Sequence, residues 1–320
     1  MVFNKEITVE QEVKELAPES IDCTGPWLFW KEDPGPELAD SLSGNGQLLP
    51  VLVRDGEHGP ELVDGLKRVT FLKRQGRSVL ARFVTAEADP GVLYVEVNGA
   101  GGGFVGETRA VAAWRYFQDR DVLPERAAVL LGTSPKSRQW RQVLEWGALE
   151  TVWDTLLSQG HVALAHAPLL GRMTVDDRAA LEGLFETLAW SRNNGQNLLT
   201  WLWEMGRSRG TTVARIIQEL GLVSLMDQDL SPKDRISRIL DTVRQARYPE
   251  LTGLERDFGA RSREVTAGTR WKVRPGDAFE TGAVELSVRL KTRQEMDRAV
   301  QDLNRMHRDR IWELIWPNGK

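Results

Sequence analysis

The feature that most constrains the fold is a change of rhythm near residue 107. Before it, between residues 37 and 84, short apolar segments alternate with glycine and acidic turns. After it, from Thr108 to about Gly221, apolar residues recur at helical spacing, and Gly132, Gly147, Gly160 and Gly171 punctuate helices of ordinary length. Such a chain is neither one sheet nor one bundle. At 320 residues it exceeds the usual single domain, and 41% hydrophobic with 28% charged residues fits a folded protein.

The local readings follow from this rhythm. ELADSLSG (37–44) predicts a short helix with Leu38 and Leu42 on one face. LLPVLVR (48–54) and ELVDG (61–65) read as strands about a DGEHGP turn, LKRVTFLKRQG as a helix closing at Gly76, and SVLARFV (78–84) as another strand. SLMDQDLSPKD (224–234) reads as a polar hinge before a helix from about Arg235 to Gln245. AVELSVRL (283–290) alternates like a strand, with Val284, Leu286, Val288 and Leu290 on one side. A single helix is expected from Arg293 to Ile315, striped by Met296, Val300 and Leu303.

Several classes of function are unsupported by the residues. The single cysteine, Cys23, builds neither a disulfide framework nor a multi-cysteine metal site. His58, His161, His166 and His307 form no ligand pair, and no metal or catalytic residue is assigned. His166 has no acid or nucleophile nearby in sequence, so it reads as a packed or capping histidine. Twelve tryptophans read chiefly as core and contact residues. The first residues, MVFNKEITVEQ, carry acids and no apolar stretch, which argues against a signal peptide, and no apolar run reaches membrane length. A cytoplasmic protein is expected.

The net charge of −4 conceals an uneven distribution: residues 1–100 hold 10 basic and 17 acidic groups, whereas residues 231–320 hold 19 and 14. One locally basic surface is enough to meet phosphates, so total charge does not veto DNA binding. A candidate surface follows PERAAVLL (124–131). Gly132 suits the left-handed residue that ends a helix, with Ser134 as an N-cap and Pro135 opening a second helix to Trp146. Trp140, Val143 and Leu144 are expected to face inward. Lys136, Ser137, Arg138, Gln139, Arg141 and Gln142 are expected on the other face or at the N-terminal end, where a recognition helix reads base edges and phosphates. A two-helix corner with a solvated basic face has the same pattern.

Two stretches, SLSGNGQLLPVLV…LVDGLKR (41–68) and LSQGHVALAHAPLL (157–170), occur in this order with the helix-turn-helix between them. Together they resemble the ParB family of DNA-partition proteins. The last strand and helix, AVELSVRLKTRQEMDRAVQDL, resemble that family's C-terminal dimer module more loosely. The resemblance implies an α+β multidomain protein: a small α/β N-terminal domain (1–106), an all-helical DNA-binding domain (107–225), a linker and helix (226–250), and a small strand-helix dimerisation module (251–320).

The resemblance also implies CTP with magnesium as ligand, double-stranded DNA and a second copy as partners, a partition ATPase, and a nucleoid-associated location. Gly65, Lys67, Arg68 and Asn98 fall on the family's nucleotide site, with Lys67 standing where the family has a second arginine. Gly101, Gly102 and Gly103 are added as a phosphate cradle, for which a hinge is the equal alternative. The chain departs from the family at Val97, where a glutamate belongs, and in lacking the arginine that follows. Glu96, read in an extended segment, points the other way.

Three readings stay open: a ParB-like partition protein with at most weak CTPase activity, a transcriptional or mobile-element regulator with a degenerate nucleotide site, and a nucleotidase or nuclease on the same N-terminal domain. The last needs a carboxylate cluster, which Glu61, Asp64 and Glu96 do not make persuasive.

Overall fold

The computed structural model describes residues 10–84, 89–99, 102–120, 122–277 and 279–315. Strands and helices are mixed. The chain divides into two compact units, Met1–Ile236 and Ser237–Lys320.

The first unit begins with a four-stranded sheet. β1 (Lys14–Leu16), β2 (Val51–Gly56), β3 (Gly59–Asp64) and β4 (Val79–Phe83) lie in the order β1-β4-β2-β3. β2 and β3 are an antiparallel hairpin turning at Glu57 and His58, β2 and β4 run parallel, and β1 closes the other edge antiparallel to β4. The alternation in the sequence has a physical outcome here: Val51 and Val53, then Val79, Ala81 and Phe83, all point into the core. β1 is too short to leave a readable pattern. Between the strands, α1 (Pro36–Asn45) and α2 (Leu66–Arg74) fall close to their expected bounds.

α3 (Pro90–Gly99) corrects one expectation. Val97 and Asn98 lie in a helix, not in an extended segment, so Glu96 is one helical step from Val97 rather than on the opposite face of a strand. The run from Val92 to Val95 is buried on all sides, and Leu93 packs with Val63 and Val84. A continuous apolar run of this length carries no period by which helix and strand differ.

Helices then follow one another: α4 (Glu107–Gln118), α5 (Pro124–Leu130), α6 (Arg138–Trp146), α7 (Val152–Ser158), α8 (Ala167–Leu170), α9 (Val175–Glu186), α10 (Arg192–Arg209), α11 (Val213–Glu219) and α12 (Leu222–Met226). Indoles fill this region. Trp114 of α4 meets Trp140 of α6 edge-on, with centroids 5.3 Å apart, and Trp153 meets Phe185 in the same way at 5.8 Å. Trp140, Trp146 and Trp153 are fully buried. His166 is buried as well, its Nδ1 accepting from the Ala163 N–H and its Nε2 meeting the Arg192 carbonyl at 3.0 Å.

α13 (Pro232–Arg247) spans the boundary between the units. In the second unit, α14 (Pro249–Val265) is followed by a two-stranded antiparallel sheet of β5 (Lys272–Pro275) and β6 (Val284–Ser287), then by α15 (Arg293–His307) and α16 (Ile311–Ile315). The strand expected over 283–290 is thus shorter. It stops at Ser287, opposite Lys272, the first residue of its four-residue partner β5, so Val288 to Leu290 have no facing strand residue there. The single helix expected to Ile315 is broken. Asp309 accepts the Ile311 N–H at 3.0 Å, and the Trp312 indole donates back to the Met306 carbonyl at 2.7 Å, fixing the break between α15 and α16.

Candidate functional site

Two surfaces of the first unit carry the residues singled out in the sequence. The first is the corner between α5 and α6. Gly132 has φ +72°, and a side chain there would strike the Gly103 carbonyl oxygen at 2.1 Å, so glycine is required both by conformation and by close approach. Thr133 to Ser137 form the turn. Helix α6 begins at Arg138, not Pro135, because Ser137 is the residue whose Oγ accepts the Trp140 N–H, at 3.0 Å. Ser134 instead takes the Lys136 N–H at 3.3 Å, and its carbonyl accepts the Ser137 N–H at 2.9 Å. Lys136 and Ser137 therefore precede the helix.

Helix α6 is strongly two-faced. Trp140, Val143 and Trp146 are buried, and so is Gln142, which turns inward rather than to the outer face. Lys136, Arg138 and Arg141 are exposed, with Gln139 half-buried between them. Among the described residues, none of these three cations has a hydrogen-bonding or ion-pair partner for its side chain. Arg115 of α4 fixes the far end of α6: its guanidinium donates to the Gly147 carbonyl at 2.7 Å and the Leu149 carbonyl at 2.9 Å, and pairs with Asp154 at 3.0 Å. Asp154 also accepts the Trp146 indole at 2.8 Å. The basic end of α6 is thus presented by a helix clamped at its other end.

The second surface is a cleft of about 350 Å³ where β3 passes into α2. Gly65 makes this turn with φ +106°, and a Cβ there would meet Val51 Cγ1 at 2.5 Å. The N-terminus of α2 therefore opens on the cleft, with Lys67 and Arg68 in its first turn. α3 contributes Tyr94, Val97 and Asn98, and α4 contributes Arg109. Trp30 and Glu32, from the segment before α1, complete the wall.

Most polar groups in the cleft are engaged with one another. Arg68 donates to the carbonyls of Leu49 and Pro50, both at 2.9 Å, and to Asp64 at 2.9 Å. Asn98 donates to the other oxygen of Asp64 and to the Tyr94 carbonyl, each at 2.9 Å. Lys67 Nζ meets Glu32 Oε2 at 2.7 Å, and Arg109 donates to Oε1 of the same carboxylate. Lys67 and Arg109 hold the Glu32 carboxyl below the usual carboxylate range. Burial and the nearby Asp64 charge push the Tyr94 hydroxyl up to about 12, so it stays a donor, here to the Trp30 carbonyl at 3.2 Å.

Gly65, Lys67, Arg68 and Asn98 are brought together as the sequence suggests. Gly102 and Gly103 are not: they lie away from the cleft, Gly103 against the turn at Gly132. Gly101 lies outside the described residues. Sequence reasoning missed Trp30, Glu32 and Arg109, since separate segments supply them, and passed over Asp64 as a member of the cleft. The four-residue spacing of Asp64 and Arg68 was the one local signal of that pair.

No protein-family model matches the chain, and no curated protein matches it. Its structure is similar to those of ParB proteins. The C-terminally truncated chromosome-partitioning protein ParB from Caulobacter crescentus, complexed to the centromeric parS site, is 18% identical, with 54% of this chain and 92% of that chain covered and a TM-score of 0.34. The same truncated protein complexed with CTP-gamma-S gives 18% identity, 54% and 98% coverage, and a TM-score of 0.24. A Pnob8-like ParB-N domain gives 15% identity, 80% and 98% coverage, and a TM-score of 0.35. With TM-scores of 0.24 to 0.35 these likenesses carry no argument about what the chain does, and function has to come from its own side chains.

Proposed function

We propose that the chain is a ParB-like DNA-binding protein that reads double-stranded DNA with the start of α6. The observation that carries this reading is the set of exposed, unneutralised cations Lys136, Arg138 and Arg141, at the end of a helix whose other face is buried and whose C-terminus is clamped by Arg115. Three free cations at the N-terminal end suit phosphates and base edges of a major groove, and Ser134, Ser137 and Gln139 add neutral partners. Selection of binding sites from random duplex DNA tests it: one enriched sequence is expected, and recovery of an unenriched pool would overturn sequence-specific binding.

The cleft at Gly65 suits the anionic part of a nucleotide. Two cations from different elements and a helix N-terminus converge there, and a carboxylate, Glu32, already sits between the cations as an anion would. The chain's own groups fit magnesium less well: among the described residues no three acidic or other ligating side chains gather as a metal site. A metal would reach the cleft on the phosphates of its ligand, and its chemistry there would be to screen their charge. One observation favours a regulator with a lost nucleotide switch: Arg68 spends its donors on Leu49, Pro50 and Asp64. Calorimetric titration with CTP and magnesium separates the two, since a heat of binding supports the switch and its absence leaves DNA binding alone.

The second unit supports self-association. Met296 and Val300 stand one helical turn apart on α15 and are exposed, as is Leu286 on β6. A sedimentation mass of two copies is expected, falling to one in Val300→Glu. Among the described residues no helix is long and apolar enough to cross a membrane.

A further inference from the structure

The arrangement around Glu32 goes one step beyond ligand binding, and rests on the reading of the cleft as a nucleotide site. Lys67 lies in the first turn of α2, and Arg109 in the first turn of α4, 42 residues on in sequence. Among the described residues no backbone carbonyl engages either side chain, whereas the cleft's third cation, Arg68, is held by the Leu49 and Pro50 carbonyls. One carboxylate takes both. Glu32 places Oε2 on Lys67 and Oε1 on Arg109, spanning the cleft as the two oxygens of a phosphate group would.

The segment that carries Glu32 is itself well anchored. Trp30 donates its indole N–H to the Arg109 carbonyl at 2.9 Å, and the Arg109 guanidinium stands 5.4 Å from the centre of the Trp30 ring. The Trp30 carbonyl receives the Tyr94 hydroxyl. Glu32 is thus held two residues beyond a fixed indole, at a place where its side chain reaches both cations. Its carboxylate and both cations are nevertheless 40–44% exposed, so the contacts can be exchanged for a ligand without opening the core.

We infer that Glu32 is an intramolecular competitor of the anionic ligand: it occupies the cation pair formed by Lys67 and Arg109, and a polyphosphate must displace it to bind. Ligand affinity is then the difference between phosphate–cation and carboxylate–cation contacts, and Glu32 sets the concentration at which the cleft fills. Removing its charge leaves Lys67 and Arg109 unneutralised and ready for an anion. Two half-exposed ion pairs predict a gain of roughly 2- to 10-fold in affinity.

The test is calorimetric titration of the full chain with CTP, and separately with inorganic triphosphate, without and with magnesium. Wild type, Glu32→Gln, Glu32→Ala and Lys67→Ala are compared at low salt, with thermal melting as a check on folding. Tighter binding by both Glu32 variants, together with weaker binding by Lys67→Ala, is the expected result. If wild type binds and the Glu32 variants bind equally or less well, the competitor is overturned while the nucleotide reading stands. If a gain appears only without magnesium, Glu32 serves the metal as a ligand and the competitor is likewise overturned. If no variant binds either anion, both readings fall.

Discussion

Asp64 and Asn98 are joined by a hydrogen bond of 2.9 Å across 34 residues of sequence, and the second oxygen of Asp64 holds Arg68. One buried carboxylate thereby ties the end of β3 to the first turn of α2 and to α3. Its removal takes one acceptor from the half-buried Arg68 guanidinium, which keeps the Leu49 and Pro50 carbonyls, and one from the Asn98 amide, which keeps the Tyr94 carbonyl. We expect Asp64→Ala to lower stability by about 2–3 kcal/mol, with Asn98→Ala costing about 1 kcal/mol, in urea unfolding. Equal stabilities for Asp64→Ala and wild type would show that the carboxylate does not organise the cleft.

Gly65 is constrained twice, by φ +106° and by Val51 Cγ1, which stands 2.5 Å from the place a Cβ would take, whereas Gly44 in α1 has open space and no such φ. Gly65→Ala should therefore cost about 1–3 kcal/mol and weaken any anion binding at α2. Gly44→Ala should be neutral or stabilising by up to about 1 kcal/mol. Denaturation midpoints of the two variants check the contrast. A tolerated alanine at 65 would mean that the turn is looser than its geometry implies.

His166 gives a pH signature. Burial lowers its pKa, and the ring is neutral in the folded protein, accepting from Ala163 and donating to the Arg192 carbonyl. A histidine whose folded pKa lies below its unfolded value binds fewer protons when folded, so stability is full above about pH 6.5 and declines as pH falls below it. Thermal melting between pH 8 and 5 should show this fall, and His166→Gln should flatten it. A steeper decline in the variant would contradict the assignment. Gly195 lies so close that a Cβ would meet the His166 ring at 2.5 Å, so Gly195→Ala should disturb the same region.

Arg115 links the two ends of the DNA-reading proposal. Arg115→Ala removes five hydrogen bonds, three to the Trp146, Gly147 and Leu149 carbonyls at the end of α6 and two to Asp154, which loses its cation. A loss of about 2–4 kcal/mol is expected, accompanied by weaker DNA binding, because the base-reading end is presented only by a fixed helix. Normal stability with normal DNA affinity would show that other contacts hold α6.

Much of the first unit was legible because its elements carry strong local signals. The alternation at Val79, Ala81 and Phe83 marks β4, Gly65 marks the turn into α2, and Gly132 marks the end of α5. Where pattern was weak, reading failed for identifiable reasons. The apolar run at Val92–Val95 has no period, which hid a helix. Ser134 and Ser137 are both good caps, and only the Trp140 N–H decides between them. Gln142 is polar yet turns inward because Trp140, Val143 and Trp146 fix the helix face. Glu32 and Arg109 were invisible because ion pairs across 77 residues leave no spacing to read.

The proposed contact of α6 with DNA runs through Lys136, Arg138 and Arg141. The most direct measurement is the salt dependence of binding to a selected duplex, comparing wild type with the triple alanine variant. These cations are exposed and make no side-chain bond among the described residues, so folding and melting should be unchanged. Each lost phosphate contact lowers the slope of log K against log salt by about 0.9, so a reduction of up to about 3 is expected, with a large loss of affinity. An unchanged slope and affinity in a folded triple variant would show that α6 does not meet DNA with these cations.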